Sequence, residues 1–385
     1  MRLLFTFVGG GGHADPLVPI ADAARAAGHD VAFHGTARVI ARLRSRGFDG
    51  IEDPDGGSDP PAEILPLVEP DMAHEERALR ERFAGPFARE RAARMLGLCA
   101  EWAPDVLVRD ESDFGSLVAA ERLALPHATL VIGAAGGLML ADVVAEPIDA
   151  LRAEHGLAPD PGYDAPARHL VLSPFPPSFR DPADPLPATA LSIRPVALEP
   201  GGVDTAPPWI AALPERQTVY FTLGTIFNME SGDLFARVIA GLRALDANVI
   251  VTVGREIDPA MFGPQPEHVR IERYIPQSAL LPRCDAVVSH GGSGSTIGAL
   301  AAGLPSVLLP MGADQPLNAA RATALGVAVA LDVMRATPDE VRAAVETVLG
   351  DPRYRAAAAR IRDEIAALPG PEAAVAALER IGRTP

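Results

Sequence analysis

The sequence predicts an α/β protein with two doubly wound parallel sheets, and three observations support this fold class. Apolar runs of strand length alternate with Ala-rich segments of helical period in both halves of the 385-residue chain, as in parallel sheets covered by helices on both faces. A Pro-rich stretch without helical period, residues 174–214, separates the two alternations. Each half also carries a Gly-rich turn between a strand and a helix, at 9–12 and at 291–294.

The first half contains five predicted strands and four predicted helices. The strands are expected at 3–8, 31–34, 105–109, 127–132 and 168–172, and the helices at 16–27, 37–46, 74–101 and 114–122. We expect Asp15 to cap the first of these helices, Pro16 and Pro19 to occupy its first turn, and Gly28 to end it.

The second half repeats the alternation with six predicted strands. These are expected at 218–224, 248–254, 269–275, 286–290, 305–310 and 327–331, and the helices at 231–244, 295–302, 316–325, 338–349 and 352–382, the last broken at Pro369-Gly370-Pro371. The Pro-rich stretch places the domain boundary near 195–208, so we expect domains at 1–200 and 201–368.

Charge and cysteine content exclude several classes of function. The chain has 34 basic and 50 acidic residues and a formal net charge of −16, which argues against binding to nucleic acid and to an anionic membrane surface. Cys99 and Cys284 have no partner at metal-ligand spacing, so we expect buried thiols in a reducing compartment. The first strand leaves no room for a signal peptide. We therefore expect a soluble, cytoplasmic protein.

The second Gly-rich turn has two interpretations. In "SHGGSGSTIGALAAGLP" (289–305) an apolar strand ends at His290, and glycines and serines lead into a helix. The free N–H groups and positive dipole end of that helix suit a diphosphate, with hydroxyls of Ser293, Ser295 and Thr296 as further donors. The same pattern also fits an ordinary helix start with a serine cap.

The neighbouring motifs carry a more specific resemblance. The ordered set "YIPQ…LL…CDAVVSHGGSGST…ALAAGLPSVLLP…DQPLNA" runs from Tyr274 to Asn318. It resembles the nucleotide-sugar signature of GT-B glycosyltransferases, and especially the actinomycete enzymes that glycosylate macrolides, enediynes and aromatic polyketides. This resemblance implies two Rossmann-like domains facing across a cleft. Domain 1–200 would bind the acceptor, 201–368 the nucleotide sugar, and helix 369–385 would pack back on the first domain.

The resemblance also implies roles for residues of the second half. Tyr274 would stack on the nucleobase, and Ile275 would offer backbone hydrogen bonds to the base edge. Asp314 and Gln315 would hold sugar hydroxyls. The donor diphosphate would be bound by Thr225, His290, Gly292, Gly294, Ser295 and Thr296.

One position departs from the family pattern. Many relatives, especially UDP-sugar enzymes, carry a Glu that grips both ribose hydroxyls, and the matching residue here is Gly298. Since a deoxyribose has no 2′-hydroxyl for such a carboxylate, the glycine is compatible with a dTDP-sugar donor.

The first Gly-rich turn, "GGGGHA" (9–14), satisfies a relaxed dinucleotide-binding pattern. That pattern also requires an acidic residue at the end of the second strand, and "DVAFHGT" ends without one. The resemblance to glycosyltransferases implies instead that His13 is a general base, because an acceptor hydroxyl is a poor nucleophile and imidazole can remove its proton near neutral pH. Asp110 follows a strand at the same edge of the sheet and matches the acid of the family's His–Asp dyad, with Glu111 and Asp113 as nearby alternatives. The glycines are expected to clear space for the acceptor and the transferred sugar.

Together these residues predict an inverting, metal-independent hexosyltransferase without a cofactor. The donor would be a dTDP- or UDP-sugar, and the acceptor a small hydrophobic aglycone of antibiotic biosynthesis bound by residues 54–90 and 136–165. A homodimer is compatible with this interpretation. The alternatives are a sugar-nucleotide epimerase and a non-catalytic glycosyltransferase partner on the same fold. The negative charge disfavours a membrane-docked cell-wall transferase.

Overall fold

The computed structural model describes residues 1–54, 61, 63–197, 207–225 and 227–383. The chain divides into two compact units. The described residues of the first unit are 1–54, 72–196 and 368–383, and those of the second are 61, 63–71, 197, 207–225 and 227–367. Residues 55–60 and 62 of the expected acceptor region, and 198–206 at the expected boundary, lie outside the described residues.

The first unit contains a seven-stranded parallel sheet with the strand order β3-β2-β1-β4-β5-β6-β7. The strands are β1 Arg2–Thr6, β2 Asp30–Thr36, β3 Asp49–Asp53, β4 Val106–Asp110, β5 His127–Leu130, β6 Leu170–Ser173 and β7 Ala190–Ser192. The five predicted strands are present, and the two edge strands, β3 and β7, are additional. Strand β1 pairs in parallel with both β2 and β4, so the loops that follow these three strands leave the sheet at its carboxyl edge.

The helices of the first unit differ from the prediction at three places. They are α1 Gly11–Ala14, α2 Val18–Ala26, α3 Ala37–Ser45, α4 Met72–Ala78, α5 Ala88–Trp102, α6 Phe114–Arg122 and α7 Ala141–Glu154. Helix α1 begins earlier than the expected 16–27, and α7 was not predicted. The expected continuous helix 74–101 is wrong, because a π-helical turn at Leu79–Phe87 separates α4 from α5, where Gly85 is non-helical and Pro86 follows.

The second unit contains a six-stranded parallel sheet with the strand order β10-β9-β8-β11-β12-β13. Its strands are β8 Thr218–Thr222, β9 Asn248–Thr252, β10 Val269–Glu272, β11 Ala286–Ser289, β12 Ser306–Leu308 and β13 Ala328–Ala330. Its helices are α8 Leu234–Leu242, α9 Gln277–Leu280, α10 Ser293–Ala301, α11 Gln315–Ala324, α12 Pro338–Gly350 and α13 Pro352–Ala367. All residues of β8, β9 and β11 are buried, as expected for central strands covered on both faces. The predicted class of two parallel sheets is confirmed.

Two segments return to a unit distant in sequence. The last helix, α14 Pro371–Gly382, packs against α2 of the first unit, where Glu379 binds the Nε2 atom of His29 at 3.0 Å. Residues 63–71 belong to the second unit. There the N–H of Leu65 donates to the carbonyl of Met229 at 2.7 Å, and the Leu65 carbonyl accepts from the N–H of Gly232 at 3.0 Å.

Candidate active site

His13 and Asp110 lie together at the carboxyl edge of the first sheet. His13 is carried by α1, which starts five residues after β1 ends, and Asp110 is the last residue of the adjacent strand β4. The Nδ1 atom of His13 is 3.4 Å from Oδ2 of Asp110. The carboxylate is fully buried, whereas the imidazole is 29% exposed. This arrangement leaves the histidine accessible and its partner shielded from water.

Asp110 is held by three further hydrogen bonds. Its Oδ2 accepts the N–H of Val8 at 2.8 Å. Its Oδ1 accepts the N–H and the hydroxyl of Ser112 at 2.7 and 2.6 Å. The same Ser112 hydroxyl oxygen lies 3.2 Å from His13 Nδ1. Ser112 was missed by the sequence analysis, because a serine in a strand-to-helix turn carries no distinctive signal.

The two alternative acids bind other partners. Asp113 pairs with the buried guanidinium of Arg91 at 2.9 Å. Burial acts to raise the pKa of Asp113, but the charge and hydrogen bonds of Arg91 lower it to about 2. Glu111 accepts the backbone N–H groups of Ile132 and Gly133 at 2.9 and 2.6 Å, and burial raises its pKa. Of the three acids, Asp110 is the one that the structure brings to His13.

Arg91 also anchors the loop that carries His13. Its guanidinium binds Asp53 at 2.6 Å and donates to the carbonyl of Phe7 at 3.2 Å. With the N–H of Val8 bound to Asp110, the Phe7–Val8 peptide group at the start of the β1–α1 loop is held at both its carbonyl and its N–H. The sequence offered no sign of this network, which joins residues from four separate segments.

The glycines of the first turn have separate tasks. Gly9 has φ +82°, and a Cβ atom there would lie 3.1 Å from Cδ2 of His13. Gly9 therefore makes room for the imidazole itself, and the expectation that these glycines clear space for the acceptor and the transferred sugar stays a prediction. The expected cap at Asp15 is wrong, because Gly10 precedes the first helical residue and the Asp15 carboxylate pairs with Arg42.

In the second unit, His290 follows β11 and is surrounded by glycine. A Cβ atom on Gly224 would lie 2.8 Å from its Cε1, and one on Gly292 would lie 2.5 Å from its Nε2. The imidazole is buried, its Nδ1 has no hydrogen-bond partner among the described residues, and burial lowers its pKa to about 4. The neutral ring thus retains unused hydrogen-bonding capacity.

Helix α10 begins three residues after this histidine, at Ser293. The buried hydroxyl of Thr296, in its first turn, also lacks a partner within the described chain. Gly294 is exposed, Ser295 is half-buried, and Thr225, in the loop after β8, is exposed. Orphaned buried polar atoms next to the N-terminus of a nine-residue helix form a site suited to an anion.

Asp314 and Gln315 lie at the start of α11 and have different surroundings. The Asp314 carboxylate accepts the hydroxyl of Ser293 at 2.5 Å and the side-chain amide of Asn318 at 2.8 Å. The expected role of Ser293 as a phosphate donor is therefore replaced by a contact with Asp314. Gln315 is buried, and its Oε1 accepts the N–H of Met311 at 2.8 Å.

The predicted nucleobase residues follow β10. Tyr274 is 41% exposed, and the guanidinium of Arg255 lies 4.4 Å from its ring centroid. The side chain of Ile275 is buried in an apolar cluster of the second unit. Gly298 is half-buried on α10, and a Cβ atom there would lie 3.4 Å from Oε1 of Gln277. The roles of these residues stay predictions.

No group of three or more His, Cys, Asp or Glu side chains among the described residues is arranged to hold a metal ion. No described helix combines the length and the apolar character needed to cross a membrane.

Comparisons with known proteins give a consistent result. Residues 236–381 match the family model described as "Erythromycin biosynthesis protein CIII-like, C-terminal domain". The chain is 32% identical to the L-demethylnoviosyl transferase of Streptomyces niveus, with 96% of each chain covered. The structure of the glycosyltransferase VinC in complex with dTDP has a TM-score of 0.79 and 26% identity, covering all of both chains. The spinosyn rhamnosyltransferase SpnG complexed with spinosyn aglycone has a TM-score of 0.79 and 25% identity, covering 98% of this chain and 100% of that one.

These matches extend over both units and confirm the resemblance drawn from the motif between Tyr274 and Asn318. The two parallel sheets and the named relatives agree on the class of enzyme. The chain belongs to the GT-B glycosyltransferases of antibiotic biosynthesis, which transfer a sugar from a nucleotide donor.

Proposed function

We propose that this enzyme is an inverting glycosyltransferase that moves a deoxysugar from a dTDP-sugar to a small hydrophobic aglycone. The first unit would bind the acceptor and the second the donor. The dTDP and aglycone named for the VinC and SpnG complexes support these two substrate classes. Both cysteines, Cys99 and Cys284, are free and buried, which fits a cytoplasmic enzyme.

The observation that carries the mechanism is the 3.4 Å approach of His13 to Asp110. An acceptor hydroxyl is a poor nucleophile until a base removes its proton, and imidazole suits that task near neutral pH. The proton would pass to Nε2 of His13 as the oxygen attacks the anomeric carbon from the face opposite the nucleotide. The buried Asp110 carboxylate would stabilise the imidazolium that results.

The second unit would stabilise the departing nucleotide diphosphate. Negative charge develops on the leaving group as the glycosidic bond breaks, and preorganised donors lower the energy of that charge. We assign this task to the N-terminus of α10, to the neutral imidazole of His290 and to the hydroxyl of Thr296, whose polar atoms have spare hydrogen-bonding capacity. Thr225, Gly292, Gly294 and Ser295 would complete the anion site.

We assign the binding of the sugar hydroxyls to Asp314 rather than to Gln315. Ser293 and Asn318 hold the Asp314 carboxylate in a fixed position, so it is preorganised as an acceptor for sugar hydroxyls. The side-chain amide oxygen of Gln315 already accepts the N–H of Met311. Its contribution would be to hold the segment between β12 and α11, which leads to Asp314.

Preference for dTDP over UDP is proposed from Gly298. A Cβ atom there meets only ordinary contacts, 3.4 Å to Gln277 and 3.6 Å to Leu281, so a longer side chain can be introduced. We expect Gly298→Glu to raise kcat/KM for a UDP-sugar about tenfold relative to the matching dTDP-sugar, since a hydrogen bond to a charged group contributes about 1.5–3 kcal/mol. Wild-type preference for UDP-sugars would overturn the dTDP assignment.

The proposed function is tested by mass spectrometry. Purified enzyme is incubated with dTDP- and UDP-sugars and a panel of polyketide aglycones, and the products are analysed for glycosides and their anomeric configuration. His13→Ala should lower turnover by roughly 100-fold or more. Near-normal turnover of that variant would remove His13 from the mechanism, and an isomerised sugar formed from donor alone would indicate an epimerase.

A further inference from the structure

We propose that Ser112 is a positioning residue that connects His13 to Asp110 and selects the tautomer in which His13 can act as a base. This inference rests on the proposed function of His13 and adds a third member to its pair.

The Ser112 hydroxyl lies between the Asp110 carboxylate and the imidazole of His13, and it is closer to Nδ1 than the carboxylate is. Oδ2 of Asp110 accepts the Val8 N–H at 2.8 Å and lies 3.4 Å from His13 Nδ1. The Ser112 hydroxyl oxygen is closer to the same Nδ1, at 3.2 Å, and is itself 2.6 Å from Asp110 Oδ1. Ser112 is buried, so its side chain is shielded from competing solvent.

The proton on the Ser112 hydroxyl decides the direction of these bonds. A hydroxyl has one proton to donate and two lone pairs to accept with. The anionic carboxylate at 2.6 Å is the stronger acceptor, and a short O–H···O bond to a carboxylate is charge-assisted. The hydroxyl therefore donates to Asp110, and its oxygen accepts from His13 Nδ1–H.

It follows that the proton of neutral His13 resides on Nδ1. The lone pair then lies on Nε2, the nitrogen that must accept the proton of the sugar acceptor. When the imidazole becomes an imidazolium, the Ser112 oxygen, polarised by Asp110, stabilises the positive charge through a connected hydrogen-bond chain. No proton leaves Ser112 in this scheme.

A second serine provides a matched control. Ser116 donates its hydroxyl to Asp113 at 2.6 Å and its N–H to the same carboxylate at 3.1 Å. It is buried like Ser112 and lies four residues further along, but it binds a different acid. Replacing either serine by alanine removes one buried hydroxyl–carboxylate bond, and only Ser112→Ala changes the surroundings of His13.

The test combines kinetics with nitrogen NMR of the full-length enzyme. We expect Ser112→Ala to lower kcat by about tenfold with both KM values within about twofold, whereas Ser116→Ala keeps kcat within about twofold. In a His13→Ala background, Ser112→Ala should cause no further loss, because its effect passes through the imidazole. Histidine labelled with ¹⁵N should show the Nδ1–H tautomer at His13, identified by the signal that His13→Ala lacks, and a mixture of tautomers in Ser112→Ala.

The inference is overturned if Ser112→Ala keeps the wild-type kcat and tautomer. It is also overturned if this substitution lowers turnover equally with and without His13, which would indicate a purely structural effect. Failure of the base assignment looks different: His13→Ala would then retain turnover, while the ¹⁵N spectra would still report whether Ser112 selects the tautomer.

Discussion

The imidazole of His290 occupies the space beside Gly292, where a Cβ atom would lie 2.5 Å from Nε2 of the ring. Gly292 has φ −61° and ψ 146°, which alanine adopts without strain. A methyl group at this position therefore displaces the imidazole without distorting the backbone.

We accordingly predict that Gly292→Ala raises the KM for the nucleotide sugar by about tenfold, because a hydrogen bond to a charged group contributes about 1.5–3 kcal/mol. Gly350→Ala is the control, since a Cβ atom there meets nothing within 4 Å. The measurement is steady-state kinetics with varied donor, and an unchanged donor KM in Gly292→Ala would contradict the role of His290.

Gly9→Ala should lower kcat rather than donor binding. The added methyl group would press on Cδ2 and Nε2 of His13, at 3.1 and 3.2 Å, and tilt the proposed base. Gly28→Ala matches it in backbone strain, with φ +84° against +82°, and its Cβ atom meets nothing within 4 Å. Both variants should lose about 1 kcal/mol of stability, but only Gly9→Ala should lose turnover, by about tenfold or more. Equal turnover in the two variants would refute this prediction.

Buried histidines predict a loss of stability on mild acidification. Burial, aided by the nearby Arg91 charge, lowers the pKa of His34 to about 4. Between about pH 6.5 and pH 4 the unfolded chain takes up a proton that the folded chain does not, so the free energy of unfolding falls as the pH falls through this window. The loss is up to about 3 kcal/mol for one such histidine, and His290 acts in the same direction.

Urea denaturation at several pH values in this window measures the effect. His34→Gln should flatten the pH dependence relative to the wild type, because the group that titrates only in the unfolded chain is removed. His74→Gln, at an exposed position on α4, is the control. A pH profile of His34→Gln that parallels the wild type would show that His34 is not the cause.

The guanidinium of Arg91 should be essential for stability. It is almost completely buried between Asp53 and Asp113. Arg91→Met leaves the buried Asp113 carboxylate without its cation and leaves Asp53 with only Arg94, at 3.4 Å. Breaking a buried pair in this way costs about 3–5 kcal/mol. Arg89→Met, two residues earlier, breaks an exposed pair with Glu154 that contributes about 0–1 kcal/mol. Similar midpoints of urea unfolding for the two variants would contradict this assignment.

The fold class could be predicted because most strands are apolar runs in a regular alternation. The strands that were missed lack that signal. Strand β3 has the sequence DGIED and lies half-exposed at one edge of the sheet, so it needs few apolar residues. Strand β7 has three residues and lies at the other edge, within the Pro-rich stretch. Helix α7 contains Pro147, which local rules take as a helix breaker.

The residues of the candidate site also divide into those with a local sequence signal and those without one. His13 and Asp110 each follow a strand, so the topology of a parallel sheet was enough to expect them at one edge. Ser112 and Arg91 could not be predicted, because their roles depend on distances between segments that the sequence does not specify. Gly9 shows a further limit. The sequence shows a glycine four residues before His13, but it does not show that the imidazole of His13 occupies the space that a Cβ atom on Gly9 would fill.

The return of α14 to the first unit, and the position of residues 63–71 in the second, bear on the construction of hybrid enzymes. A chimera made by one crossover after residue 196 would bring a foreign α14 onto α2 and would leave the host's Leu65 bonded to a foreign Met229 loop. A functional exchange of donor specificity therefore needs four junctions, two around residues 63–71, one near residue 196 and one near residue 367, so that residues 63–71 travel with the second unit and α14 stays with the first.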